Sequence, residues 1–202
     1  DAVDINSGTL ARIHLDSLMM AIAIERRVGI ETVPHLTTRD MSVMGLQSAL
    51  MGAWAVGGIR NILAITGDPP AIGDNPHARG VLEIDSIGLV QLIQRLNQGL
   101  DHAGKVIGPP TAFTVGVALN PTAQDLDTEL RRFDQKVAAG AQFAMTQPLF
   151  APELWTDFLK ILGRPPIPIL VGVWPLASYK QALRLHNEVP GIVVPDRIQD
   201  LM

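Results

Sequence analysis

Polar side chains follow several short apolar segments of the chain, at the point where a strand is expected to end. Asp68 follows the string ILAIT, Gln147 ends FAMTQ, Asn120 ends VGVALN, and His35 lies in VPHLTTRD. The carboxyl ends of the strands in a parallel barrel converge on one mouth, where the active sites of such barrels lie. A carboxylate, two amides and an imidazole at such a mouth can bind a cationic or heterocyclic ligand.

Asp68 is carried on a stiff turn. Gly67 before it permits a sharp change of backbone direction, while Pro69 and Pro70 after it fix φ and remove two N–H donors. One interpretation is a turn acid that hydrogen-bonds its own loop. The other is a rigidly held carboxylate that serves as a base or as electrostatic support for a developing cation. The residue types alone leave both interpretations open.

Two further strand ends also allow two interpretations each. The amide of Gln147 donates and accepts hydrogen bonds at once, which suits a pterin or a flavin, but a strand-end Gln also commonly bonds the next loop. His35 shares its strand end with Thr37 and Thr38, so we expect a small polar cluster there, although a lone histidine in this position is often structural. Arg39 and Asp40 follow directly, and we expect them to cap the next helix.

The composition excludes several classes of protein. Of the 202 residues, 47% are hydrophobic and 18% are charged, which is typical of a globular domain with a large core. The net charge is −4 and no basic stripe is present, so nucleic acid is not an expected partner. There is no cysteine and the five histidines lack metal-ligand spacing, so we expect no disulfide and no zinc site. No apolar segment is long enough to span a membrane and no signal segment opens the chain, so a cytoplasmic protein is expected.

Alternating strands and helices must position these side chains. Helical spacing recurs between the apolar segments, for example at Leu89, Ile93, Leu96 and Leu100. The predicted strands are apolar on nearly every residue, as in a parallel sheet buried on both faces, and cover residues 3–5, 32–37, 62–66, 112–119, 143–147 and 167–174. Such strand–helix units form either an open doubly wound sheet or a (β/α)8 TIM barrel. No G-x-G-x-x-G motif follows the first strand, which counts against the classical dinucleotide-binding fold. The polar residues that recur at the strand ends favour the barrel.

The predicted barrel is incomplete. A full barrel of this kind takes about 250 residues and eight strands. Six predicted strands therefore indicate a barrel truncated to about six strand–helix units, with the first and last strands missing. We expect one domain over residues 1–202, as the central part of a longer protein. A further apolar segment at 191–195 is not assigned to a strand.

Six stretches of the chain resemble the methylenetetrahydrofolate reductase family. In chain order they read GIETVPHLTTRD, GGIRNILAITGDPP, DSIGLVQLIQRLN, VGVALNP, KVAAGAQFAMTQPLF and VGVWPLASYKQA. The first two look closest to the branch often fused to a homocysteine S-methyltransferase domain. The resemblance implies a TIM barrel flavoprotein of one-carbon metabolism and methionine biosynthesis. Such an oxidoreductase uses FAD, with NADH or NADPH as electron donor, to reduce 5,10-methylenetetrahydrofolate to 5-methyltetrahydrofolate.

The resemblance also implies roles for individual residues. Asp68 matches the catalytic acid that stabilises the cationic iminium form of the folate, Gln147 the catalytic amide that hydrogen-bonds the pterin, and Gln181 a further folate contact. The implied flavin-binding residues are Asn6, Ser7, Thr9, His35, Thr66, Gly67, Asp68, Ser86, Asn120, Glu129, Arg132 and Lys136. Fusion to, or association with, a homocysteine methyltransferase domain is implied as well, and we expect a homo-oligomer.

Departures from the family pattern support a second function. Thr66 and Gln135 stand where some members have arginine, so two positive contacts to FAD are lost. The proton-donating Glu of the family lies on the first barrel strand, which would precede Asp1. The alternative is therefore a degenerate barrel that binds flavin or folate without turnover.

Overall fold

Six parallel strands alternate with helices in a computed structural model that describes residues 1–189 and 191–202. The strands follow the order of the sequence in the sheet, and the fold is an incomplete (β/α) barrel. The strands are β1 (Ala2–Ile5), β2 (Glu31–Thr37), β3 (Asn61–Ile65), β4 (Thr114–Leu119), β5 (Phe143–Thr146) and β6 (Ile169–Leu170). The helices are α1 (Ser17–Val28), α2 (Val43–Gly52), α3 (Ser86–Leu96), α4 (Leu126–Ala138), α5 (Pro152–Leu162), α6 (Tyr179–Glu188) and α7 (Asp196–Gln199).

Side-chain caps determine where several helices begin. The side chains of Asp16, Ser42, Asp85 and Ser178 accept hydrogen bonds from backbone N–H groups in the first turns of α1, α2, α3 and α6, respectively. Asp and Ser are among the best N-cap residues because their oxygens satisfy N–H groups that have no partner inside the helix. Helix α1 ends at Gly29, whose φ of 76° is the left-handed conformation that commonly stops a helix.

The contacts divide the chain into two compact units. The N-terminal unit comprises Asp1–Val117 and Ala138–Ala141, and the C-terminal unit comprises Ala118–Val137 and Gln142–Met202. Strand β4 contributes its first four residues to the N-terminal unit and its last two to the C-terminal unit. The single domain expected over residues 1–202 stays a prediction.

Aliphatic side chains form the core of the N-terminal unit. Helix α3 presents an almost fully buried row to the strands, and the residues of that row are Leu89, Val90, Leu92, Ile93 and Leu96. Burying one such side chain contributes roughly 1.5–3 kcal/mol. Trp54 packs edge-on against Phe113, with ring centroids 5.2 Å apart, and Arg60 lies over the Trp54 ring. The helical spacing of Leu89, Ile93 and Leu96 therefore predicted the buried face of α3 correctly. Leu100, expected to continue that face, lies beyond the end of the helix in a β-bridge with Val106.

A smaller apolar cluster stabilises the end of the C-terminal unit. Ala182 and Leu185 of α6 pack with Ile192 and Val194, and Phe150 lies against this cluster. The apolar segment 191–195 is thus a packed loop rather than a strand. Pro195, which cannot donate to a ladder, and the short length of the segment explain why no strand forms there.

All six predicted strands are present, but the sixth is much shorter than expected. The prediction of a strand over 167–174 is wrong in extent, because β6 comprises only Ile169 and Leu170. Beyond it, the N–H of Gly172 donates to the hydroxyl of Thr146 at 2.8 Å, so the backbone has left the ladder. Val173 is 79% exposed. An unbroken apolar run does not distinguish a buried strand from an exposed loop.

Candidate functional site

Asp68 lies just after β3, and its carboxylate holds the loop that follows β1. Its Oδ2 accepts a hydrogen bond of 2.7 Å from the backbone N–H of Leu10. Its backbone carbonyl accepts a bond of 3.1 Å from Nη1 of Arg39. Gly67 has a φ of 93°, and a Cβ there would lie 3.2 Å from the Cβ atoms of Thr37 and Arg39, so only glycine fits well. The acid is therefore rigidly held, and it also bonds a loop.

That loop, which we call the strap (Thr9–Ala11), has an unusual backbone. Leu10 and Ala11 both have positive φ, 57° and 52°, a conformation that costs a non-glycine residue on the order of 1 kcal/mol. The N–H of Asp74 donates to the carbonyl of Ala11 at 3.3 Å. Gly73 permits this approach, since a Cβ at that position would overlap the carbonyl of Ala11. The strap is thus held against the residues that follow β3.

Arg39 connects the loops that follow three strands. Its side chain is nearly buried, and its Nε and Nη2 each donate to the carboxylate of Asp40 at 2.7 Å. Its Nη1 donates to the carbonyls of Gly8 at 3.3 Å and Asp68 at 3.1 Å. The side-chain hydrogen bonds of the pair raise the pKa of Arg39 and lower the pKa of Asp40. The prediction that Arg39 and Asp40 cap the next helix is wrong, because Ser42 is the N-cap of α2.

His35 is paired with an acid on the neighbouring strand. Its Nε2 lies 2.8 Å from Oδ1 of Asp4 in β1, and its side chain is 13% exposed. Its backbone carbonyl accepts a bond of 2.6 Å from the hydroxyl of Ser17 in α1. The hydroxyl of Thr37, expected to join His35 in a cluster, donates instead to Asp40 at 3.2 Å. The imidazole is therefore oriented by Asp4.

A cavity of about 350 Å³ lies among the loops that follow β1, β2 and β3. Its lining includes Ser7, Arg12, Arg39, Pro70 and Arg79. This volume is within the range of small-molecule sites, about 300–1,000 Å³. Ser7 is the member of the predicted flavin set that lines it. The other predicted residues of the N-terminal unit surround the strand ends without lining this cavity.

Thr66 and Ser86 attach α3 to the end of β3. The hydroxyl oxygen of Thr66 accepts a bond of 3.1 Å from the backbone N–H of Ser86, the first residue of α3. Ser86 is 5% exposed. The backbone carbonyl of Thr66 also accepts a 3.4 Å bond from the hydroxyl of Thr38. Asn6 and Thr9, also predicted to bind flavin, are exposed in the loop after β1.

In the C-terminal unit, predicted flavin residues make internal hydrogen bonds. The Oδ1 of Asn120 accepts bonds of 3.0 Å from both the N–H and the hydroxyl of Thr122. Glu129 accepts a bond of 3.0 Å from the N–H of Asn120. The nearly buried Lys136 donates from Nζ to the carbonyl of Ala118 at 2.7 Å. These bonds fix the connection between β4 and α4.

The two glutamines predicted to bind folate differ in the hydrogen bonds that their side-chain carboxamides make. The side chain of Gln147 is exposed just after β5, and no residue in the described part of the chain bonds its carboxamide. Its backbone N–H donates to the carbonyl of Leu119 at 3.0 Å, which fixes its position. The Oε1 of Gln181 accepts a bond of 2.7 Å from the N–H of Ala177. Arg132, predicted to meet a phosphate, lies half-buried on α4.

The polar groups of the N-terminal unit have the chemistry that a flavin ring requires. The amide of Asn6 and the hydroxyls of Ser7 and Thr9 are neutral donors and acceptors, which orient a heterocycle without leaving a buried charge. Gly67 is required by its positive φ and by the nearby Cβ atoms of Thr37 and Arg39, so its missing Cβ is explained by packing within the protein. By residue type, Asn6, Ser7 and Thr9 are suited to hydrogen-bonding a heterocyclic ring such as isoalloxazine. On the phosphate side, Lys136 is nearly buried, and one of the three N–H donors of its ammonium group bonds the carbonyl of Ala118.

Asp4, Arg39 and the strap were not predicted as parts of the site. Asp4 carries a visible signal, because an acid within the strand AVDI is unusual in a buried parallel sheet. The sequence gives no such indication for Arg39, since a charged residue after a strand is most often exposed. The positive φ of Leu10 has no signal either, because leucine disfavours it.

Metal-ligand clusters and membrane-spanning helices are absent from residues 1–189 and 191–202. No three His, Cys, Asp or Glu side chains lie together there in a way that could hold a metal ion. None of the helices in that part combines the length and the apolar character that crossing a bilayer requires.

The chain is similar over its whole length to one protein family. The family model described as Methylenetetrahydrofolate reductase matches residues 1–202. The 5,10-methylenetetrahydrofolate reductase of Pectobacterium carotovorum subsp. carotovorum is 28% identical over 197 residues, which are 95% of this chain and 57% of that protein. The protein of Oryza sativa subsp. japonica named Probable methylenetetrahydrofolate reductase (NADH) is 30% identical over 174 residues, 84% of this chain and 29% of its own length. The chain thus spans little more than half of the bacterial relative and less than a third of the rice protein.

A solved structure shares the fold. An uncharacterised protein from Clostridium thermocellum that binds two copies of 5-methyl-5,6,7,8-tetrahydrofolic acid superposes with a TM-score of 0.67 at 16% identity, over 99% of this chain and 62% of that chain. At this identity the likeness concerns the fold alone. The match of the family model to every residue goes further, and on that ground the chain belongs to the methylenetetrahydrofolate reductase family.

Proposed function

We propose that the full-length protein reduces 5,10-methylenetetrahydrofolate to 5-methyltetrahydrofolate with FAD as cofactor and NADH or NADPH as electron donor. The observation that carries the proposal is the rigidly held carboxylate of Asp68 after β3, in a chain of this family. The methyl folate bound by the Clostridium thermocellum protein supports a folate substrate, and the name of the rice relative supports NADH as a donor.

Asp68 has the properties needed to stabilise a cation on the substrate. 5,10-Methylenetetrahydrofolate accepts a hydride after its five-membered ring opens to an iminium cation. A fixed negative charge lowers the free energy of that cation relative to the neutral folate, and it does so most effectively where water is excluded. Arg39 and Leu10 hold the residue in place, so little reorganisation accompanies the reaction. We therefore assign Asp68 to electrostatic stabilisation of the iminium form.

The two glutamines of the C-terminal unit are assigned to the folate. Gln147 presents a carboxamide that both donates and accepts, which matches the donor and acceptor edge of a pterin. The Oε1 of Gln181 accepts the N–H of Ala177, and we assign its amide N–H groups as the donors to the folate. The role of Gln147 is to orient the pterin, and orientation alone contributes substantially to rate when two reacting groups must meet.

A further set of residues is assigned to FAD on the ground of the family resemblance. Bound FAD supplies hydride transfer between the nicotinamide and the folate. We assign to FAD the residues Asn6, Ser7, Thr9, His35, Thr66, Gly67, Asp68, Ser86, Asn120, Glu129, Arg132 and Lys136. Neutral groups would bind the ring, whereas Arg132 and Lys136 would bind phosphate.

The direct test uses the full-length protein purified without added cofactor. A yellow protein is expected, which loses its colour with NADH or NADPH in the absence of oxygen. Addition of 5,10-methylenetetrahydrofolate should restore the colour. The amount of 5-methyltetrahydrofolate formed should equal the amount of flavin reoxidised. A yellow protein whose colour the folate does not restore would contradict the proposal.

A second candidate is a degenerate barrel that binds flavin or folate without turnover. Thr66 and Gln135 stand where some family members have arginine, so the chain offers fewer positive charges to the phosphates of FAD. The hydroxyl oxygen of Thr66 accepts a hydrogen bond from the N–H of Ser86 instead. A colourless protein that still binds folate in a calorimetric titration would support this candidate instead.

Four expectations about the whole protein stay predictions from the sequence. They are fusion to or association with a homocysteine methyltransferase domain, a homo-oligomeric state, a part in methionine biosynthesis and a cytoplasmic location. Light scattering of the full-length protein would decide its oligomeric state.

A further inference from the structure

Asp4 and His35 lie on the same face of the sheet in the N-terminal unit. Thr32 of β2 points to α1, because its hydroxyl donates to Glu25 of that helix at 2.6 Å. Side chains alternate between the two faces of a strand, so His35 points away from α1. Asp4 pairs in register with Val33, which is on the same face as His35. A (β/α) barrel turns this face toward its interior, where ligands reach the strand ends.

The contact between the two side chains determines which ring nitrogen carries the proton. At neutral pH a carboxylate only accepts hydrogen bonds, so Nε2 of His35, 2.8 Å from Oδ1 of Asp4, must be the donor. In the neutral ring, Nδ1 is then left with its lone pair and can only accept. No residue within the described ranges hydrogen-bonds Nδ1, so this acceptor is available to a ligand.

We propose that Asp4 is a positioning residue that fixes His35 as the Nε2–H tautomer, so that Nδ1 accepts a hydrogen bond from an N–H group of the flavin ring. The inference rests on the proposed function, in which His35 contacts the flavin. A ring locked as an acceptor favours a heterocycle that presents N–H at this place and disfavours one that presents a carbonyl or a bare ring nitrogen. Asp4 thereby acts on the ligand through His35 and does not touch it.

The substitution Asp4→Asn separates this role from simple packing. Asparagine has nearly the same shape, but its amide can donate to Nε2 and thereby move the ring proton to Nδ1. His35 would then present a donor where an acceptor is needed. We expect flavin affinity to fall about tenfold, as for the loss of one buried hydrogen bond. Asp4→Glu keeps a carboxylate and should retain most of the affinity. Asp1→Asn, an exposed acid three residues earlier, makes the same change of charge and should leave the affinity unchanged.

The tautomer is measured by ¹⁵N NMR of the histidine-labelled full-length protein without flavin. The inference predicts the Nε2–H form of His35 in the wild type and in Asp1→Asn, and the Nδ1–H form in Asp4→Asn. An Nδ1–H or doubly protonated ring in the wild type, or an unchanged tautomer in Asp4→Asn, would overturn it.

Flavin affinity, measured by fluorescence titration, supplies the second readout. Equal affinity of wild type and Asp4→Asn would overturn the inference even if the tautomer changes. An equal loss of affinity in Asp4→Asn and Asp1→Asn would also overturn it, since that result would reflect net charge. A wild type that shows the expected tautomer but binds no flavin would overturn the proposed function itself, together with the ligand part of this inference.

Discussion

The carboxylate of Asp68 lies 2.7 Å from the backbone N–H of Leu10, so the acid assigned to the folate also holds the strap. A carboxylate has lone pairs for several hydrogen bonds, so it can keep the Leu10 bond and still face a cation. The positive φ of Leu10 opposes this arrangement, and the Asp68 bond offsets part of that cost. A movement of the strap should therefore displace the carboxylate of Asp68, and a movement of Asp68 should displace the strap.

Gly73→Ala tests whether the strap depends on close contact with the residues after β3. The new Cβ would overlap the carbonyl of Ala11, and backbone atoms cannot easily yield, so the strap should move away from Asp68. We expect hydrogen exchange at the Leu10 amide to accelerate at least about tenfold, as for the loss of one hydrogen bond.

Gly52→Ala is the matched control for that variant. A Cβ at Gly52, the last residue of α2, would meet nothing within 4 Å. Alanine is the better helix former by up to about 1 kcal/mol, so this variant should be at least as stable as the wild type. Hydrogen exchange at the Leu10 amide that is as slow in Gly73→Ala as in Gly52→Ala would contradict the coupling between the strap and Asp68.

Thr66→Val tests the attachment of α3 to β3. The change removes the oxygen that accepts the Ser86 N–H, and that N–H is left without a partner in a nearly buried position. Leaving a buried donor unsatisfied costs about 1–3 kcal/mol, and we expect the free energy of unfolding in urea to fall by that amount. Thr156→Val removes an exposed hydroxyl that only bonds Pro152 of its own helix, and it should change the stability by less than about 0.5 kcal/mol. A similar free energy of unfolding for Thr66→Val and Thr156→Val would argue against a structural role for Thr66.

Asp40→Asn tests the pH dependence that the pair with Arg39 creates. Hydrogen bonds from Arg39 lower the pKa of Asp40 below its ordinary value of 3.8. A group with a lowered pKa in the folded state stabilises the protein above its unfolded pKa, and this contribution disappears as the pH falls through the folded pKa. The wild type should therefore be more stable than the variant near neutral pH, and the difference should shrink below about pH 4.

The difference in the free energy of unfolding between the wild type and Asp40→Asn should be small, because the side chain of Asp40 is 55% exposed and solvent screens its pair with Arg39. Urea unfolding of both proteins between neutral pH and pH 3 provides the measurement. A difference that is absent at neutral pH, or that grows toward acid pH, would show that the pair does not contribute in this way.

The periodic elements could be predicted from the sequence because their signals are local. The i, i+4, i+7 spacing in α3 and the apolar runs of β1 to β5 each depend on residues a few positions apart. The turn at Asp68 was also local, since Gly67 and Pro69 flank it directly. The sixth strand was predicted too long because burial, which decides whether an apolar run joins a sheet, is not a local property.

The parts of the site that were missed depend on contacts between distant residues. Asp4 and His35 are 31 positions apart, and Leu10 and Asp68 are 58 positions apart. Arg39 meets Gly8 across 31 positions. Neither residue type nor spacing indicates such pairs, because the same side chains are equally suited to solvent. The family resemblance indicated which strand ends matter, but not how their side chains bond one another.

Asp68→Asn in the full-length protein tests the central claim most directly, with Asp74→Asn as its control. Both acids accept a backbone N–H of the loop after β1, Asp68 from Leu10 at 2.7 Å and Asp74 from Ile13 at 3.0 Å. Both variants keep an amide oxygen that can accept the loop N–H and both lose a negative charge, but only Asp68→Asn loses the charge assigned to the folate cation. Stopped-flow spectroscopy follows the flavin colour separately during reduction by NADH or NADPH and during reoxidation by 5,10-methylenetetrahydrofolate.

Asp68→Asn should retain flavin and its reduction by the nicotinamide, while reoxidation by the folate slows by about 10²-fold or more. Asp74→Asn should leave both steps close to those of the wild type. An equal loss of both steps in Asp68→Asn, or an equal slowing of reoxidation in the two variants, would contradict the assignment of Asp68 to the folate cation.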